Sequence, residues 1–200
     1  MQKTEIQLRE SSLKTKLILL LGLSLSAFWT AGQEERKILQ IKADFQAWQP
    51  LIEVVSGTEL FHYTWGENYE KDQWYSSVQN ADGKVLYQKA FIIENPELGT
   101  FVHYDNYAIS GDWYISVDYY FDANESLYFV FWKMNTFQAE EPVTVEKRRY
   151  FNAKGEEIKS LTSTYKMNTR EESSVGYADR DLDYEVELSK MSFYPKWKEE

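Results

Sequence analysis

The chain has 200 residues, 22 basic and 32 acidic, for a net charge of −10, and it contains no cysteine. That length fits a single domain able to bury a full core without covalent staples. The missing cysteine excludes disulfide scaffolds, thiolate metal sites, cysteine nucleophiles and lipobox acylation, and the acidic balance disfavours nucleic acid and anionic lipid as partners.

Lys3, Arg9, Lys14 and Lys16 precede an apolar run that begins at Leu17 and ends in the small residues Thr30-Ala31-Gly32. A basic flank, a short apolar core and a small-residue end are the three parts of a secretory signal peptide, so residues 1–32 read as a leader. Cleavage after Gly32, with Ser24-Leu25-Ser26 as a second candidate, removes four basic and two acidic residues and leaves 18 and 30, net −12. The expected location is the periplasm or the extracellular space, and an exported chain of this size without cysteine points to a bacterial source. The rival reading is an uncleaved N-terminal anchor, although the run is somewhat short for a membrane span. With the leader removed, no membrane association is expected, and residues 33–200 form one domain.

Residues 33–56 carry Ile38, Ile41, Phe45, Trp48, Ile52 and Val55 at a spacing of three and four, one apolar stripe of a helix. The stripe is expected to cover a sheet; a partner-binding helix is the sharper alternative. Pro50 lacks an N–H and clashes with the preceding turn, which predicts two helical pieces meeting at Gln49-Pro50. Gly57 then ends the helix.

Eight strands follow, at 58–65, 73–79, 85–94, 101–110, 113–121, 127–134, 143–151 and 158–167, most separated by short turns. Trp113, Ile115, Val117, Tyr119 and Phe121 alternate onto one face, leaving Tyr114, Ser116, Asp118 and Tyr120 on the other. Leu127 to Trp132 is apolar at every position, which predicts a strand covered on both faces. Glu146-Lys147-Arg148-Arg149 predicts that at least one face of the next strand meets water or acidic partners. Gly111-Asp112 reads as a tight hairpin turn into Trp113. Tyr120-Phe121-Asp122-Ala123-Asn124 recurs as Tyr150-Phe151-Asn152-Ala153-Lys154, so two hairpin turns share one pattern, and Asn80-Ala81-Asp82-Gly83-Lys84 is a third of similar composition. The expected fold is mainly β, an antiparallel meander of about eight strands in an open twisted sheet with one N-terminal helix. An up-and-down barrel is the alternative, and the helix, which has an apolar face to bury, favours the open sheet. Residues 168–180 read as a loop, residues 181–188 alternate acid with apolar as an edge strand or a helix, and the last residues dock through their aromatics or fray.

Chemistry is sparse. His62 and His103 lie in strands, and a metal site would pair them with Glu59 or Asp105, but without a ligand spacing they are read as partly exposed strand histidines. The acids at 181, 183, 185 and 187 resemble the start of a calcium loop, but Tyr184 stands where the turn glycine belongs and Lys190 where the closing glutamate belongs. No Gly-x-Ser-x-Gly elbow and no phosphate-binding glycine loop occurs, and Asn124-Glu125-Ser126 is a glycosylation triplet inside a turn. The pattern points to no metal and no cofactor. Seven Trp, fifteen Tyr and eleven Phe are the remaining feature. Tyr114, Tyr120, Tyr128 and Trp132 are the candidate binding residues, an aromatic sheet face able to stack a sugar ring or seat a protein, set against cross-strand aromatic packing under the helix. Three functions follow: a non-catalytic exported domain binding a protein or glycan, a barrel-like carrier of a small apolar ligand, or a carboxylate-pair hydrolase.

Overall fold

The computed structural model describes residues 32–64, 73–77, 85–178 and 185–199. Residues 1–31 of the leader, the turn at 80–84 and the acids Asp181 and Asp183 lie outside the described residues. The chain divides into two compact units at Gln40/Ile41. Residues 32–54 are helical (α1), and of the predicted stripe Ile41 and Trp48 are buried while Phe45 and Ile52 are half-buried. The break predicted at Pro50 does not form. Pro50 sits in the last turn, where one lost hydrogen bond is tolerable. The ladder resumes beyond it from Val55 N–H to the Leu51 carbonyl at 2.9 Å, and the Gln49 side-chain amide bonds the Phe45 carbonyl at 3.4 Å.

Eight strands follow: β1 Thr58–Thr64, β2 Trp74–Tyr75, β3 Val85–Asn95, β4 Gly99–Tyr107, β5 Trp113–Phe121, β6 Leu127–Thr136, β7 Val143–Phe151 and β8 Glu157–Lys166. They form one antiparallel sheet in the order β2-β1-β3-β4-β5-β6-β7-β8, open at both ends rather than closed into a barrel. The meander departs from chain order once, where β3 returns to pair with β1 and leaves the two-residue β2 outside.

The repeated Tyr-Phe-Asp/Asn sequence proves to be one turn used twice. Asp122 Oδ1 accepts the N–H groups of Asn124 and Ser126 at 2.8 and 3.1 Å; Asn152 Oδ1 accepts those of Lys154 and Glu156 at 2.8 and 3.1 Å. Each turn needs a left-handed residue at its fourth position. Gly155 supplies it at φ 75°, and Glu125 supplies it at φ 60°.

The two faces differ. One carries Leu60, Ile92, Val102, Val117, Val130, Trp132, Met134 and Val145 into the main core, which Leu188, Met191, Phe193 and Trp197 close from the C-terminal segment. That segment holds a 3-10 turn at Leu188–Lys190 and a short helix, α2, at Tyr194–Lys198. The aromatic tail therefore docks rather than frays. Of residues 181–188, the described part, 185–188, forms no edge strand: Glu187 makes only an isolated bridge with Ser126. On the opposite face the part of α1 from Ile41 onward lies over Phe101, Tyr120 and Phe129. Trp48 packs 5.9 Å from Phe101 and 6.5 Å from Tyr120, ring centre to ring centre, and Phe45 lies 5.6 Å from Phe129. No described helix is long and apolar enough to cross a membrane.

Strand β6 is buried along its first four residues, as its unbroken apolar run requires. On β7 the half-buried Arg148 and Arg149 meet acidic partners, Glu146 and Glu157, as expected, while Glu146 and Lys147 are themselves buried. Each charge is accommodated locally. Arg148 Nη2 donates to Glu146 Oε2 at 2.9 Å, and the Lys147 ammonium lies 4.8 Å over the Trp132 ring on the core face.

Candidate functional site

The four aromatic residues expected to form one exposed face do not do so. Tyr120 is fully buried under α1, its ring 5.2 Å from Phe101 and 5.4 Å from Phe129. Tyr128 is buried as well, its hydroxyl accepting the Trp48 indole N–H at 3.1 Å. Trp132 is fully buried on the other face. The cause is a bulge: Phe121 pairs with Leu127 and Tyr120 with Phe129, so Tyr128 is an extra residue and the alternation flips after it. Strict alternation from Tyr128 would have kept Trp132 beside it.

Only Tyr114 is partly open, and it belongs to a polar cluster. The β4–β5 register sets His103 opposite Asp118 and Tyr107 opposite Tyr114. His103 Nδ1 lies 2.6 Å from Asp118 Oδ1 and its Nε2 lies 3.0 Å from Asp105 Oδ1. Tyr114 donates to Asp105 Oδ1, and Tyr107 donates to Asp105 Oδ2 at 3.3 Å. His103 therefore meets Asp105 as an ion pair and not as a fellow metal ligand of His62. His62 is elsewhere, on the core face, stacked 5.3 Å from Trp74.

Asp118 escaped notice because the turn is wider than its sequence implies. Ala108 to Asp112 all lie in it, with Gly111 N–H bonding the Ala108 carbonyl at 3.0 Å. A two-residue turn at Gly111-Asp112 would have set Tyr120 opposite His103. The wider turn moves every partner by two residues, which preserves the face and exchanges the neighbour.

Both ring nitrogens of His103 face carboxylates, so both must donate and the ring is an imidazolium. Burial works against that charge, but hydrogen bonds and attraction from Asp105 and Asp118 outweigh it and raise the pKa to about 10. For Asp105 burial likewise opposes ionisation, and the bonds from His103 and Tyr114 overcome it and lower its pKa. Burial, reinforced by the Asp105 charge, pushes Tyr107 up to about 12 and Tyr114 higher still. The carboxylates of Asp105 and Asp118 converge on one cation instead of opposing each other across a cleft. Among the described residues no group of three or more His, Cys, Asp or Glu side chains could hold a metal ion.

The other feature is a groove of about 300 Å³ where α1 overhangs β6 and β7. Ile41, Phe45, Phe129, Phe131 and Tyr150 give it apolar walls, and Lys42, Gln46 and Arg148 are its polar members. Phe129 and Tyr150 pack at 4.9 Å, and the Arg148 guanidinium lies 5.0 Å above Phe131. Sequence reasoning placed the sheet under the helix. It did not find the groove, because Phe131 and Arg148 meet only through the β6–β7 register.

Fold and sites together define an open antiparallel meander roofed by a helix, with a locked charge cluster and an aromatic groove on the roofed face. Comparison with protein-family models, with curated proteins and with solved structures finds no match to this chain.

Proposed function

We propose that the protein is an exported, non-catalytic binding module that takes a ring-sized apolar group of its partner into the groove between α1, β6 and β7. The observation that carries this reading is the open space of about 300 Å³ among Phe45, Phe129, Phe131 and Tyr150. Protein interiors are packed to crystal density, so apolar space left open at the surface has a free-energy cost that a ligand relieves. The volume stands at the small end of ligand sites, enough for one ring. The export half of the reading rests on the basic flank and apolar run of residues 1–32. Asp105 and Asp118 converge on His103 instead of facing each other across a cleft, which gives no support to the hydrolase alternative. An open sheet, in which β2 and β8 are separate edges, has no barrel interior to favour the carrier alternative.

Thermal-shift screening against glycans, lipids, apolar small molecules and divalent cations tests the proposal, each hit being repeated on Phe131→Ala. The expected result is a hit with an apolar ring whose affinity falls at least about tenfold in the variant, as loss of about 1.4 kcal/mol of contact implies. Hits indifferent to Phe131→Ala, or a response to cations alone, would contradict it.

A further inference from the structure

The sheet ends on one side in β8, a ten-residue edge strand. Its far end is covered: Ser173 N–H bonds the Thr164 carbonyl at 2.9 Å, Lys166 N–H bonds the Glu171 carbonyl at 2.8 Å, and Tyr165 bridges to Glu172. These bonds also give the phase of the strand. Thr164 and Lys166 turn their backbone groups away from β7, and in an antiparallel ladder every second residue does the same, so Thr162 and Ser160 point outward too. The other end is bounded by the irregularity where Tyr150 pairs with Lys159 and Phe151 with Glu157. Between these limits Ser160, Leu161 and Thr162 are exposed on both faces of the sheet, and Leu161 is 42% exposed. Long open edges are templates for another strand, and proteins normally shorten or cover them.

Charge decides which strand. The β7–β8 hairpin, Val143–Lys166, holds six basic and three acidic residues, net +3, in a chain of net −10. Lys159 is the one charged side chain between Ile158 and Tyr165. Self-pairing centred on Ser160 would set the two Lys159 residues on adjacent diagonals and bring two positive hairpins together. Like charges at such spacing are unfavourable. An edge lysine is a common device against self-association, and it does not repel an acidic strand.

We propose that the open edge of β8, at Lys159–Ser163, is a docking site for an extended acidic segment of a partner protein. The segment adds as a ninth strand. Its backbone bonds to Ser160 and Thr162, and its carboxylates lie near Lys159. This site is separate from the groove under α1, so either can fail without the other.

The test uses the full chain and two labelled eight-residue peptides, one alternating Glu with Val and one alternating Lys with Val. Anisotropy at low salt should show the Glu peptide binding at least tenfold more tightly than the Lys peptide, and amide exchange should slow at Ser160 and Thr162. Thr162→Pro removes an outward N–H that β7 does not use, so it should abolish binding while leaving the far-ultraviolet circular dichroism unchanged. Equal binding of the two peptides, no binding of either, protection elsewhere, or unaltered binding by Thr162→Pro overturns the proposal. So does a concentration-dependent dimer that excludes the Glu peptide, because that result makes the occupant a second copy.

Discussion

Replacing Asp118 by Asn tests the reading of the charge cluster. The substitution keeps the size of the side chain and removes the carboxylate that holds His103 Nδ1 at 2.6 Å. With both acids the imidazolium pKa is raised to about 10 from an ordinary 6.5. One adjacent carboxylate is worth about 1–3 units, so the variant should titrate lower by about that much. The histidine side chain is 34% exposed, so solvent screening reduces the stability effect well below the full pKa equivalent, to about 1 kcal/mol at neutral pH. A group whose pKa rises on folding contributes fully below its unfolded value near 6.5 and loses that contribution as pH climbs through about 10. Asp105, lowered on folding, contributes above its unfolded value and loses it as pH falls through the folded one. Nuclear magnetic resonance titration of the imidazole carbons measures the pKa directly, and urea unfolding at pH 5, 7 and 10.5 measures its linkage. A wild-type ring titrating between pH 6 and 7 would refute the reasoning and would restore His103 as a usable base.

Three further outcomes follow from the geometry. Trp48→Phe and Tyr128→Phe each strand half of a buried hydrogen bond at a cost of about 1–3 kcal/mol, so the double variant should cost less than their sum by about 1 kcal/mol; additive urea midpoints would show that the bond does not form. Gly99→Ala forces a side chain into φ 100° and against the Phe121 carbonyl and should cost more than about 2 kcal/mol, whereas Gly111→Ala at φ 74° meets no atom within 4 Å and should cost about 1; thermal unfolding ranks them. Glu125→Gly relieves a left-handed side chain worth about 1 kcal/mol but loses the bonds from the Tyr194 hydroxyl at 3.1 and 3.2 Å. Amide exchange in α2 should therefore quicken while the turn itself stays intact, and unchanged exchange would mean that Glu125 does not anchor the C-terminal segment.

The strands were legible because alternation and turn chemistry are local properties. Trp113–Phe121 shows five core-facing residues in strict period two, and the twin turns announce themselves through Asp122 and Asn152. What escaped the reading was every quantity that depends on counting across a turn or a bulge. One extra residue at Tyr128 moved Trp132 to the opposite face, and a two-residue shift of register across the wider turn brought Asp118 to His103. The contact of the buried Lys147 was hidden for a related reason: its partner, Trp132, is set by the β6–β7 register. Pro50 misled differently, since its penalty depends on how much helix follows it, and little does.

Chemical-shift mapping with the strongest apolar ligand addresses the proposed function most directly. The account predicts perturbations concentrated at Phe45, Phe129, Phe131, Arg148 and Tyr150, the residues that enclose the space beneath α1. Perturbations centred instead on Trp74 and Pro195, or spread without focus over the sheet, would contradict it.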